Sequence, residues 1–238
     1  MTPFLREAAS IAISSLPGAE ILDVVELRGG LEASVARVTV REGEGRHRHI
    51  VVKRVTAVAR RERSRYELLA GSGAVPSLVG TVQRDDRTYL LLEYVRAVRG
   101  WPWRESHNTR LVLEQLARIH ALGDSAGRHD DWNYEHELRA SAAETVRTAE
   151  ALMPAALPEL TLRRSLRSLR RVASSIAEAR AVVMEPFGRT LIHGDVHTRN
   201  VVLRKTAGRV QAVLLDWGRS RAGSPLEDVS SWLLSLRG

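Results

Sequence analysis

The apolar residues of this chain repeat at two different intervals, and that change constrains the fold more than any other feature. Between about residues 21 and 95 they recur mostly at every second position, as in half-buried strands; from Glu105 to about residue 180 they recur every third or fourth, as in helices packed on one side. A short helix is predicted over 4–16, ending near Pro17-Gly18. Strands follow over 21–27, 33–41 and 50–55, then a helix over 57–71. Two more strands, 78–83 and 88–95, are joined by the turn Arg84-Asp85-Asp86-Arg87. Helical periodicity then covers 108–122, 133–152 and 160–180, broken at Pro154 and Pro158. Short β segments at 190–192 and 201–204 flank a polar loop, a strand covers 210–215 and a last helix 226–236. The expectation is an α+β chain with a boundary near Arg99-Gly100-Trp101-Pro102. Residues 1–97 form a lobe built on five antiparallel strands with a helix after the third, and residues 98–238 a mostly helical lobe.

The residues that carry chemistry gather in the second part. His193-Gly194-Asp195-Val196-His197-Thr198-Arg199-Asn200 is followed by Asp216-Trp217-Gly218 at the end of the apolar run Val213-Leu214-Leu215. Asp195 and Asn200 lie five apart on a loop pinned by Leu191-Ile192 and Val201-Val202, so the loop can fold back and bring both side chains to one point. Phosphoryl transfer wants a carboxylate to orient the attacking hydroxyl and hard oxygen ligands to hold magnesium against phosphates. Asp195 fits the first need; Asn200 and Asp216 fit the second. Two other readings stand beside this one. Asp and Asn cap turns anywhere, and His193, Asp195 and His197 form an H-x-D-x-H run able to bind zinc, as in a zinc hydrolase.

The pattern resembles the aminoglycoside phosphotransferase and choline kinase family, whose members carry H-G-D-x-H-x-x-N and then D-W or D-F. The resemblance covers about residues 20–236 and implies a two-lobed protein-kinase-like fold. It further implies Asp195 as catalytic base, Asn200 and Asp216 as ligands of Mg²⁺, and ATP, or GTP in its place, as phosphoryl donor. A family of this kind needs a lysine on the third strand paired with a glutamate on the following helix. In 49–55 alternation puts Val51, Lys53 and Val55 on one face. The basic residues are otherwise almost all arginine, with Lys53 and Lys205 the only lysines, so an ammonium at 53 looks specifically wanted. The alternative is a strand lysine snorkelling to water. Glu62 shares a helical stripe with Val58, Tyr66 and Leu69, whereas Glu67 lies with Arg60, Arg63 and Ser64; Glu62 is the expected partner.

The nucleotide's phosphates are expected under 28–34, where Gly29 and Gly30 permit close backbone approach and Ser34 closes the turn. A Gly-Gly turn by itself would be ordinary, and no G-x-x-x-x-G-K-[ST] occurs, which disfavours P-loop NTPases. The resemblance places the adenine on the backbone of Glu93 and Val95. His120 reads as a satisfied core histidine. Asp228 matches a family aspartate that accepts hydrogen bonds from the catalytic loop, or is a carboxylate at a helix N-terminus.

Composition narrows the setting. With no cysteine, neither disulfides nor thiolate metal sites hold the fold, which fits a cytoplasmic protein. No signal peptide is read at the N-terminus and no run reaches the roughly 20 apolar residues of a membrane helix. The net charge is +8, but its densest cluster, Arg163, Arg164, Arg167, Arg170 and Arg171, has helical spacing and few interleaved aromatics. It reads as a solvated face, with no dedicated nucleic-acid partner.

The expected partner is a small-molecule hydroxyl: an aminoglycoside or other antibiotic, or an amino alcohol. Asp130, Asp131, Glu135 and Glu137 are candidates to face a cationic acceptor, or form a solvated turn. Only twenty residues follow Gly218, fewer than the resemblance implies for family members; the expectation is a chain that is naturally short, truncated, or completed by another subunit. A nucleotide-binding pseudokinase or regulator is the alternative to an active enzyme.

Overall fold

The computed structural model describes residues 1–27, 34–43, 45–55, 59–98, 100–124, 134–155, 158–206 and 208–237. Helix α1 (Pro3–Ser15) opens the chain, with Pro3 in the first turn and the Thr2 hydroxyl accepting the Leu5 N–H at 3.3 Å. Strands β1 (Glu20–Leu27), β2 (Ser34–Glu42) and β3 (Arg46–Val55), helix α2 (Ala59–Leu68), and strands β4 (Leu78–Arg84) and β5 (Arg87–Glu93) follow. The strands form one five-stranded sheet in the order β1-β2-β3-β5-β4, and every neighbouring pair is antiparallel.

Both faces of this sheet are covered, and alternation sorts its side chains between them. Ala36, Val38, Val40, Ile50, Val52, Tyr89 and Leu91 meet Phe4, Ala8, Ile11 and Ala12 of α1. On the other face Val55, Leu90 and Leu92 join Tyr66 and Leu69 behind α2. That second cluster continues without a break into the rest of the chain, through Trp103, Leu116, Leu191, Leu203, Leu214, Trp217 and Trp232.

The second half comprises α3 (Ser106–His120), α4 (Tyr134–Leu152), α5 (Glu159–Met184), β6 (Thr190–Ile192), β7 (Val201–Thr206), β8 (Arg209–Leu214), β9 (Arg221–Gly223) and α6 (Pro225–Ser235). β7 pairs with β8, and β6 with β9. β9 is the element that periodicity missed, because three residues with one small apolar side chain offer no alternation to read. β5 ends at Glu93, short of the expected 95; among the described residues the chain beyond it keeps one backbone bond to the sheet, from the Tyr94 N–H to the His49 carbonyl at 3.4 Å. The arginine cluster of α5 is exposed throughout, with Arg163 paired to Glu159 and Arg170 to Glu150. Among the described residues no helix is long and apolar enough to cross a membrane.

Candidate active site

β3 and α2 bring the first two charges together. Lys53 lies opposite Leu90 and Val35 in the sheet register, so its side chain enters the cluster shared with the second half. The side chain is 8% exposed, too little for snorkelling, and Nζ lies 2.7 Å from Glu62 Oε1 and 2.8 Å from Asp216 Oδ1. Glu62 is buried on the stripe with Tyr66, whose hydroxyl donates to Oε1 at 3.2 Å. Glu67 is exposed and bonds Arg63. Val58 lies outside the described residues.

Asp216 arrives from the far end of the sequence. β8 ends at Leu214, and Asp216 takes φ 62°, ψ 73°, the left-handed region that L residues other than Asn and Asp seldom adopt. The strain, of order 1–3 kcal/mol, turns the carboxylate out of the strand direction towards Lys53. Trp217 is fully buried behind it, its indole N–H donating to the Leu214 carbonyl at 3.1 Å.

Burial alone would push the Lys53 ammonium below its usual value, but Glu62 and Asp216 together hold it above. For Asp216 burial acts upward, and Lys53 outweighs it, so the carboxyl sits below its usual value. Glu62 is nearly sealed from water, and burial raises it against the pull of Lys53. Lys53 and Asp216 are therefore both held in their charged forms.

The loop after β6 is tied down from beneath. Asp228, in the first turn of α6, accepts the N–H groups of His193 and Gly194, each at 2.8 Å, and His120 Nε2 lies 3.0 Å from the same carboxylate. His193 is fully buried, with Nε2 2.8 Å from the Leu215 carbonyl and Nδ1 accepting the Asp195 N–H at 3.2 Å. These bonds select the neutral Nε2–H ring, and burial depresses its basicity below the usual histidine value. Gly194 has φ 80°, and a Cβ there would overlap the Arg219 carbonyl oxygen, so only glycine fits.

Asn200 closes the loop. Its Nδ2 donates to both the carbonyl and Oδ2 of Asp195 at 3.1 Å, while its own carbonyl accepts the Leu215 N–H at 2.8 Å. Asp195, Asn200 and Asp216 are thus neighbours through one short hydrogen-bonded path. Asp195 remains partly open, with 41% of its side chain exposed.

Other expectations fare differently. Gly29 and Gly30, with the rest of 28–33, and Asp130 and Asp131 lie outside the described residues. Ser34 is not brought to Lys53. It sits opposite Arg54, whose guanidinium donates to its Oγ at 2.8 Å on the face covered by α1. Because neighbouring residues of a strand point to opposite faces, Val35 shares the Lys53 side instead. The Glu93 N–H bonds the Ser77 carbonyl at 2.8 Å and its carboxylate takes Ser77 and Arg204, so both of these groups are engaged within the fold; Val95 lies just beyond the end of β5. The zinc reading fails: both His193 nitrogens are engaged inside the fold, and among the described residues no cluster of three metal-ligating side chains occurs. Both readings of Asp228 describe it: it lies in the first turn of α6 and accepts the N–H groups of the loop after β6, as the resemblance implied.

The sequence profile of the phosphotransferase enzyme family matches residues 23–237. An aminoglycoside phosphotransferase from Streptomyces rimosus, solved in complex with ADP and streptomycin, is 19% identical with a TM-score of 0.66, over 99% of this chain and 84% of that one. An ethanolamine kinase from Plasmodium vivax is 10% identical with a TM-score of 0.65, over 94% of this chain and 62% of that one. A macrolide 2'-phosphotransferase from Brachybacterium faecium is 16% identical with a TM-score of 0.56, over 99% and 78% respectively. At such identities the likeness is one of fold, the two-lobed protein-kinase-like arrangement. No curated protein sequence gives a significant match.

Proposed function

Because the chain belongs to the phosphotransferase enzyme family, we propose that it moves the γ-phosphoryl group of ATP, or of GTP in its place, onto a hydroxyl of a small molecule, with Asp195 as base. One observation carries this reading. Lys53 of the sheet lies 2.8 Å from Asp216, which the sequence puts 163 positions away, beside a loop that presents Asp195 and Asn200. Residues 1–97 are then the nucleotide-binding lobe and residues 98–238 the catalytic and acceptor-binding lobe.

In this mechanism Lys53, held by Glu62, binds the α- and β-phosphates. The glycines Gly29 and Gly30 supply N–H groups above them, and the Glu93 carbonyl and Val95 backbone hold the base. Ser34 has no side-chain part in this. Magnesium suits the donor set: Asp216 offers a carboxylate, and Asn200, its amide nitrogen turned to Asp195, offers Oδ1. When bound, the ion neutralises charge on the phosphate oxygens. Asp195 takes the acceptor's hydroxyl proton, a role typically worth about 10² to 10⁴ in rate. The proposed setting is the cytoplasm, where nucleotide and magnesium are supplied.

For the acceptor we propose an aminoglycoside, another antibiotic or an amino alcohol, the kinds of compound in the names of its structural neighbours. The test is a panel of streptomycin, kanamycin, erythromycin, choline and ethanolamine incubated with Mg-ATP and read by mass spectrometry. One phosphorylated member is the expected result. Absence of any phosphorylated product, together with absence of ATP hydrolysis, would contradict the proposal.

A further inference from the structure

The two carboxylate oxygens of Asp195 have different surroundings. Oδ2 accepts from Asn200 Nδ2 at 3.1 Å and lies 3.7 Å from Nε2 of His197. Oδ1 carries no hydrogen bond among the described residues. The His197 ring is oriented by a second contact, the Arg199 N–H donating to Nδ1 at 3.1 Å. A ring nitrogen that accepts from an amide carries no proton in neutral imidazole, so the proton sits on Nε2, the atom facing Asp195. At 3.7 Å that contact exceeds a hydrogen bond. Catalytic bonds are often long in ligand-free enzymes and tighten once substrate is bound, and the ring is only part-buried, with room to close.

We propose that His197 is a positioning residue for Asp195: its Nε2–H closes on Oδ2 and, with Asn200, leaves Oδ1 as the oxygen that receives the acceptor's proton. This rests on the assignment of Asp195 as base. In the transfer, the acceptor O–H bond breaks towards Oδ1 and the acceptor oxygen bonds the γ-phosphorus. The bond from that phosphorus to the β,γ-bridging oxygen breaks, and the nucleoside diphosphate leaves with the electron pair. His197 keeps its proton throughout. With Asn200 alone on Oδ2, the carboxylate is free to rotate and is aligned for only part of the time, which lowers turnover without weakening nucleotide binding.

Two substitutions separate this role from a merely structural one. Asparagine sets an acceptor near the place of Nδ1 and preserves the Arg199 bond, but has no group at Nε2. Glutamine reaches the place of Nε2 and preserves the donor. The assay is steady-state hydrolysis of Mg-ATP with water as acceptor, in the wild-type chain and in His197→Ala, His197→Asn, His197→Gln and Asp195→Ala. Loss of one hydrogen bond to a charged group predicts a fall in kcat of about ten- to a hundredfold in His197→Ala and His197→Asn. KM for ATP stays unchanged, and His197→Gln recovers most of the loss.

Full activity in His197→Asn, or a change in KM alone, overturns the proposal. If Asp195→Ala is inactive while His197→Ala is unaffected, only the role of His197 falls. If Asp195→Ala keeps its activity, the base assignment falls first. Nitrogen-15 spectra of labelled histidine side chains test the same point without turnover. The His197 signal, identified by its absence in His197→Gln, should show the Nε2–H form; an Nδ1–H form overturns the proposal.

Discussion

At Lys53 the cost of burying an ammonium is offset twice, by Glu62 at 2.7 Å and Asp216 at 2.8 Å. Removing one member of such a set leaves an uncompensated charge in the interior, which is far more damaging than replacing the whole set. His193 meets the same environment in the opposite way, by staying neutral. The carboxylates of Asp228, Asp195 and Asp216 all pull its basicity upward, and burial still depresses it below 6.5. The unfolded chain therefore takes up this proton first as pH falls. The stability gained from the buried neutral ring is fully present above pH 6.5 and is lost progressively below it, down to the lower folded value. Urea denaturation of His193→Gln across this window is expected to show a shallower acid decline than wild type; equal slopes would remove His193 as its source. Glu62 was legible because alternation fixed the face of Lys53 and the helical stripe chose between two glutamates. Ser34 was not, because the face of the first residue in β2 depends on a register that only the pairing with β3 reveals.

The elements show where local signals suffice. α6 begins with Ser224, Pro225 and Glu227, and its capping box is complete: the Leu226 N–H reaches the Ser224 hydroxyl and Glu227 Oε1 takes the Ser224 N–H at 3.1 Å. Glu227 also binds Arg221 of β9 and Arg180 of α5, so the start of this helix ties three elements together and sets Asp228 under the loop after β6. Ser224→Ala leaves those ion pairs intact and removes only the cap. It should cost about 1 kcal/mol of unfolding free energy, read from urea denaturation, and a loss near zero would show the cap to be redundant. β9 itself gave no sequence signal. Its pairing with the three residues of β6 is a tertiary consequence of where α6 and the loop after β6 sit.

For the whole molecule, one apolar cluster runs from the sheet through α2 and α3 to Trp217 and Trp232. The sheet half and the helical half therefore meet through packing as well as through the contact of Lys53 with Asp216. The alternation of the first half and the helical spacing of the second were enough to foresee the two kinds of structure. The continuity between them was not, since no local pattern records which distant residues touch. In the proposed function Asp195 acts chemically while Lys53 and Asp216 serve the nucleotide. The direct measurement is turnover and ATP affinity of Asp195→Ala beside wild type, by steady-state kinetics and calorimetry. A fall in kcat of at least about 10²-fold with the ATP dissociation constant essentially unchanged is predicted; undiminished turnover would contradict it.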